Sequence, residues 1–190
     1  MPKSQSNMTD RRERLINSAR DLVRQGGLAA LSMRVLADRE DTSTQAIYTL
    51  FGGKSGLLQA VYSHWMDDLE QGLLTAAMAG HPPEVMIWLS ARLYREHALS
   101  DPALFLAGCT DKDVFALLTR SNAFRAFAAL VSAGIASGAL RHNDDPEATA
   151  CALWSAAHGA VLFEIQSGGR SYLEELLQAL LRGISAPSPA

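Results

Sequence analysis

Between Leu15 and Leu69 the apolar residues recur at steps of three and four and are interrupted at two glycine pairs, which predicts short helices in succession followed by a longer one. Leu15, Ile16, Ala19, Leu22 and Val23 form the inward stripe of a first helix. Thr9 or Asp10 is placed to cap it, with Glu13 as the reciprocal half of a capping box, and Gly26-Gly27 stops it. Residues 1 to 8 read as a polar, disordered arm. Ser32 stands before a second helix, with Met33, Leu36 and Ala37 inward and Arg34 and Arg39 outward. Ser43 opens a third. Stepping about 100° per residue puts Thr44, Gln45, Tyr48 and Thr49 on one arc, with Ala46, Ile47, Leu50 and Phe51 on the other. After Gly52-Gly53 a long helix over about 54–78 turns Leu58, Val61, Tyr62, Trp65, Met66 and Leu69 inward.

Gly80-His81-Pro82-Pro83 marks the clearest boundary, because proline suits the first turn of a helix and not its continuation. Beyond it the pattern predicts a helix over 83–99, a helical turn over 102–106 and a break at 108–111. Val114, Phe115, Leu117, Leu118, Phe124, Phe127 and Leu130 then form a stripe interrupted near Ser121-Asn122. Asp144 or Asp145 caps the next helix, which has Pro146 at its first position and runs to Gly168-Gly169. A last helix over 171–184 carries Leu173, Leu176, Leu177, Leu180 and Leu181. No segment alternates as a strand would. The expected fold is all-α, with a three-helix N-terminal domain over 1–54, a linking helix over 54–78 and a helical C-terminal domain over 81–186.

Two helices of that second domain offer more apolar surface than so small a domain hides easily. Ala148, Ala152, Ala156, Gly159 and Ala160 make a seam of small residues, and the last helix is apolar around a wide arc. A second copy would cover both as an intermolecular four-helix bundle. The expected interface is Ala152, Ala156, Gly159, Ala160, Leu173, Leu177 and Leu180. The alternative is that both stripes are spent on the chain's own core.

The polar arc of the third helix carries the chemistry. Gln45 can bond two edges of one base, Thr44 and Thr49 each offer a hydroxyl and a methyl group, and Tyr48 can reach a phosphate. With the second helix it reads as a helix-turn-helix whose outward face suits a DNA major groove. Lys54 stands beside the amides of the next helix start, as a phosphate clamp would. The plain rival is a helical hairpin with solvated Thr and Gln. The net charge is −3 over 190 residues. Residues 1–54 nevertheless hold nine cations against six anions, leaving +3 there and −6 elsewhere. That asymmetry fits one nucleic-acid end. Arg11, Arg12 and Arg14 could approach DNA from the side.

Other chemistry finds little support. Cys109 and Cys151 lack metal spacing and read as small core residues, and the histidines show no metal pattern. The GGKS run lacks the first glycine of a phosphate loop, its place being held by Tyr48. No uncharged apolar run approaches the roughly 20 residues of a membrane span, and the N-terminus has no signal-peptide apolar region. A cytoplasmic, non-enzymatic protein without metal or cofactor is expected.

The run from Leu31 to Leu58, with Arg34, Leu36, Ala37, Ser43, Ala46, Ile47, Tyr48, Phe51, Lys54 and Leu58 in register, resembles the N-terminal domain of TetR-family transcriptional regulators. The resemblance covers about the first third of the chain. It implies base contacts by Thr44, Gln45 and Thr49 and phosphate contacts by Ser32, Tyr48 and Lys54, with Arg34 and Ser43 in the same DNA-facing set. Two positions depart from the family pattern. Asp41 and Thr42 occupy the turn where glycine and a valine-like residue are usual, and Gly56 replaces a helix former at a cost of about 1 kcal/mol. The run Trp154 to Gly159, WSAAHG, is similar to the marker of a TetR subgroup named for Trp, His and Gly.

The family implies a homodimeric repressor of a double-stranded operator, released by a small molecule. Trp88, Tyr94, Phe105, Phe115, Phe127 and Trp154 supply aromatic bulk for an apolar pocket, with Tyr94, Thr110 and His158 as its polar groups. The ligand expected there is apolar or aromatic without strong negative charge. The alternatives are a regulator controlled by protein contacts and, from another class, an all-α carrier or enzyme.

Overall fold

The computed structural model describes residues 3–141 and 145–184, with the side chains of residues 3–7, Phe115, Leu118 and Thr119 outside the description. Its elements are helices α1 (Lys3–Ala30), α2 (Met33–Arg39), α3 (Thr44–Phe51), α4 (Lys54–Ala77), α5 (Pro83–Ser100), α6 (Pro102–Cys109), α7 (Lys112–Thr119), α8 (Asn122–Ala136), α9 (Pro146–Ser167) and α10 (Leu173–Ile184). The fold is all-α, and the described residues contain no strand. One expectation at the N-terminus is corrected: α1 already begins at Lys3, so residues 3–8 are helical and neither Thr9 nor Asp10 caps it. The interruption expected at Gly26-Gly27 is present, since both residues have non-helical backbone, Gly27 with a left-handed φ of 66°, and a second helical stretch continues from that kink to Ala30.

The chain divides into two compact units, one of residues 1–65 and 103–119, the other of residues 66–102 and 120–190. The segment 103–119, placed by sequence in the second domain, therefore packs within the first unit. In that unit Leu15, Ile16, Ala19 and Val23 of α1, Leu36 and Ala37 of α2, and Ile47 of α3 are buried together with Leu57, Val61, Tyr62 and Trp65 of α4. Tyr62 donates to the Leu104 carbonyl at 3.0 Å, and the Trp65 and Phe105 rings meet edge-on with centroids 6.5 Å apart.

The corner between α3 and α4 is built from glycines. Gly52 takes a left-handed φ of 73°, and its N–H closes α3 onto the Tyr48 carbonyl at 2.7 Å. Gly56 is not the weak helix residue the sequence suggests. A Cβ there would lie 1.8 Å from the Phe51 carbonyl oxygen, so its missing side chain is what allows the corner to close.

In the second unit α5, α8, α9 and α10 pack around Ile87, Phe124, Phe127, Val131, Ile135, Leu140, Ala150 and Leu153. A smaller cluster joins Ala91, Ala157, Leu173 and Leu177. Helix α9 is long and apolar enough to cross a membrane, with a mean hydropathy of 1.3 over its most apolar window. It instead buries one face, along Ala150, Leu153, Ala157, Val161 and Glu164, within this unit.

Candidate functional site

The helix-turn-helix is held by backbone and side-chain bonds that the sequence specifies locally. The Glu40 N–H bonds the Leu36 carbonyl and the Thr42 N–H bonds the Ala37 carbonyl, closing the end of α2. Asp41 then turns the chain with a φ of 47°, a conformation Asp tolerates better than most side chains. Ser43 caps α3, its Oγ accepting from the Ala46 N–H at 3.1 Å. Ser32 occupies the N-cap position of α2, but only its carbonyl is used, accepting from the Leu36 N–H at 2.9 Å; its hydroxyl makes no cap bond.

On α3 the expected division of faces is present. Thr44, Gln45, Tyr48 and Thr49 are exposed, Ile47 is fully buried, and Ala46, Leu50 and Phe51 are half-buried. Tyr48 stands over the α3–α4 corner, where a Cβ on Gly53 would lie 3.4 Å from its ring. The Thr49 hydroxyl donates to the Gln45 carbonyl at 2.9 Å.

The basic residues nearby are largely engaged with the unit itself. Arg11 donates to the Thr42 hydroxyl, and the Arg12 guanidinium lies 5.4 Å from the centroid of the Phe51 ring. Arg14 approaches Glu40 at 3.9 Å and Arg39 approaches Asp21 at 3.5 Å. The α1 arginines thus brace the helix-turn-helix. Lys54 is exposed, and its Nζ donates to the Leu28 carbonyl at 3.1 Å. It also borders a groove lined by Asp111 and Asp113. Arg34 is exposed on α2.

In the second unit, Tyr94 of α5 and Trp154 and His158 of α9 come together with Phe124 and Phe127 of α8. The Trp154 ring has centroids 4.8 Å from Tyr94, 5.5 Å from Phe124 and 5.6 Å from Phe127. The Tyr94 hydroxyl and His158 Nδ1 share a hydrogen bond of 2.6 Å. Burial holds the His158 ring below the ordinary imidazole pKa, so it is neutral at pH 7. Tyr94, Phe127 and Trp154 line a cavity of about 10 Å³ together with Ile87, Ser90 and Leu153. That is room for about one water molecule.

The remaining expected pocket residues fall elsewhere. Phe105 and Thr110 belong to the first unit, Phe105 against Trp65 and the Thr110 hydroxyl on the Ala107 carbonyl. Trp88 is half-buried beneath the Arg92 guanidinium, 5.0 Å from its ring centroid. The Phe115 side chain lies outside the described residues.

Of the expected interface residues, Ala152 and Gly159 are exposed, and Ala156, Ala160 and Leu180 half-buried. Leu173 and Leu177 are each 1% exposed and sit in the chain's own core with Ala91 and Ala157, which leaves no surface for a partner. Cys151, expected in the core, is exposed on α9, and Cys109 is half-buried in the first unit.

Residues 15–61 match the family model of the tetR family of bacterial regulatory proteins. This segment is a TetR-family N-terminal domain, a DNA-binding helix-turn-helix. No curated protein matches the chain in sequence. Solved structures do match in fold. RolR in complex with resorcinol is 19% identical, with a TM-score of 0.75 over 96% of this chain and 91% of that one. The regulator FadR from Bacillus subtilis in complex with stearoyl-CoA is 13% identical, with a TM-score of 0.74 over 90% of this chain and 95% of that one. The fatty acid degradation regulator FadR from Bacillus halodurans is 12% identical, with a TM-score of 0.73 over 90% and 95%.

Within the TetR-family domain, the braces from Arg11 and Arg12 to the turn and to α3 are contacts that helical spacing does not reveal. In the second unit the sequence reading passed over an ion pair. Arg95 of α5 holds Glu164 of α9 through two bonds, from Nε at 2.7 Å and from the other nitrogen to Oε1. The hydrogen bonds from Arg95, with a further one from Ser171, keep the Glu164 carboxyl below its ordinary pKa against the opposing effect of burial. The signal was present. Arg95 lies four residues after Ala91 and Glu164 three after Val161, so opposite charges fall on two inward stripes.

Proposed function

We propose that this chain is a homodimeric, cytoplasmic transcriptional repressor that reads an operator with α3 and is released from it by a small apolar or aromatic molecule. The observation that carries the reading is the face of α3, where four exposed polar side chains stand opposite the buried Ile47 inside a TetR-family domain. Thr44, Gln45 and Thr49 contact bases, while Tyr48, Ser32, Arg34 and Lys54 contact phosphates and Ser43 fixes the start of the reading helix. Lys54 has three ammonium protons, so its bond to Leu28 leaves two for a phosphate.

The effector binds at the Tyr94, Phe127, Trp154 and His158 cluster. Resorcinol on RolR and stearoyl-CoA on FadR are small molecules held by proteins of this fold, which supports an effector here. A cavity of about 10 Å³ is too small for an aromatic ring, so binding requires these side chains to part. A ligand that selects the parted arrangement lowers operator affinity by no more than its preference for that arrangement. Helix α4 contributes residues to both units and is the element through which the change passes. The outward seam of α9, with its most apolar window 28% buried, supports burial against a second copy. The small cavity also favours a second reading, in which protein contacts replace the small molecule as the control.

Phenol, resorcinol and naphthalene, with stearoyl-CoA as the charged comparison, test the first reading by thermal stabilisation and then by release from bound operator. Stabilisation and release by a neutral aromatic support it. Stabilising compounds that leave operator affinity unchanged turn the assignment to control by protein contacts.

A further inference from the structure

We infer that Thr49 reads its base through its methyl group and Thr44 reads through its hydroxyl, an assignment that rests on the DNA-reading role of α3 proposed above. Both threonines are exposed on the polar face of α3, and by composition they are equivalent. Their positions along the helix make them different. Thr49 lies one turn beyond Gln45, and its hydroxyl donates to the Gln45 carbonyl at 2.9 Å. A hydroxyl has a single proton, so this bond uses its only donor. Thymine O4, guanine O6 and the purine N7 atoms are all acceptors and need that donor. With the oxygen turned back onto the helix, Thr49 presents Cγ2, and the groove feature that matches a methyl group is the thymine C5-methyl.

Thr44 opens α3, with Ser43 as N-cap, and has no preceding turn of its own helix to take its hydroxyl proton. It keeps the donor for a base or phosphate. The reading helix therefore holds an apolar probe near its C-terminal end and a hydrogen-bonding one at its start.

The test begins with duplexes that the full-length protein enriches from a random double-stranded pool. Each thymine of the enriched sequence is then replaced by deoxyuracil, which removes only the C5-methyl. At one thymine in each half-site this should weaken the native protein about fourfold, the worth of one buried methyl group. Thr49→Val, which keeps a methyl group and drops the hydroxyl, should stay sensitive to deoxyuracil and bind more tightly than Thr49→Ser or Thr49→Ala. Thr49→Ser should bind about fourfold more weakly per half-site and lose that sensitivity. Thr44→Val should lose affinity at every thymine variant alike. The assignment is overturned if Thr49→Val binds as weakly as Thr49→Ala, if Thr49→Ser keeps native affinity, or if no deoxyuracil matters. Enrichment of no sequence over the random pool would remove the DNA-reading role itself and this inference with it. Specific enrichment with the reversed variant pattern removes only the methyl assignment.

Discussion

A Cβ placed on Gly56 would stand 1.8 Å from the carbonyl oxygen of Phe51. Two effects of Gly56→Ala therefore oppose each other. Alanine gains about 1 kcal/mol of helix propensity, and the collision with backbone costs about 1–3 kcal/mol or more, since the carbonyl cannot rotate away as a side chain could. The collision wins, and because it disturbs the corner that sets α3, the variant should lose both thermal stability and DNA affinity. Denaturation and duplex binding of the purified variant measure the two, and a raised melting temperature would show that the corner is not tight.

Glu164 is buried on α9 and bonded to Arg95, whose side chain is 32% exposed. Glu164→Gln should cost about 2–4 kcal/mol at pH 7, toward the lower end of a broken buried pair because solvent reaches one partner. The carboxyl pKa is depressed in the fold, so its contribution is complete above the unfolded value of about 4.3 and fades as pH falls through the lower folded value. Urea midpoints of the native protein should drop steeply in that acid range. Those of Glu164→Gln should follow a shallower course.

His158 gives a different window. Its pKa is lowered by burial, so the unfolded chain takes up the proton first as pH falls. Stability should decline from about pH 6.5, the unfolded value, and level off below the depressed folded value. His158→Gln should flatten that portion of the curve while leaving the Glu164 portion in place. An unchanged curve would place the imidazole in contact with water.

The two faces of the C-terminal helices should respond oppositely to substitution. Ala152 is exposed on α9, so Ala152→Glu should convert a dimer to monomer in sedimentation velocity with little change in the melting of the monomer. Leu177 is 1% exposed in the chain's own core, and Leu177→Ala should cost about 2–5 kcal/mol whatever the oligomeric state. A dimer that survives Ala152→Glu would move the interface off the α9 seam.

Helix positions and the two faces of α3 were legible in the sequence because periodicity and caps are local signals. Ser43, Gly52, Ser121 and Asp145 all stand at the helix ends their chemistry suggests. What local pattern could not show is which of two apolar faces meets the chain's own core. Leu173 and Leu177 share a stripe with Leu180, yet the first two are buried within the unit and Leu180 is half-open. The same limit applies to Phe105. Its aromatic character suits a pocket, but the contact that decides its place, with Trp65 forty residues earlier, is a tertiary one. Gly56 was misjudged for a related reason, since propensity scales the helix and not the carbonyl that crosses it.

The reading of DNA by α3 is most directly tested by the affinity of full-length protein for its enriched duplex against a scrambled duplex of equal composition at one fixed salt concentration. An inverted repeat should emerge, with half-sites about 34–36 Å apart. The enriched sequence should bind about 10³-fold or more tighter than the scrambled one. Gln45→Ala should change the preferred base at a cost of about 1–3 kcal/mol. Lys54→Ala should weaken all sequences alike and reduce the salt slope by about one. Equal affinity for both duplexes, or a preference that Gln45→Ala leaves untouched, would contradict the account.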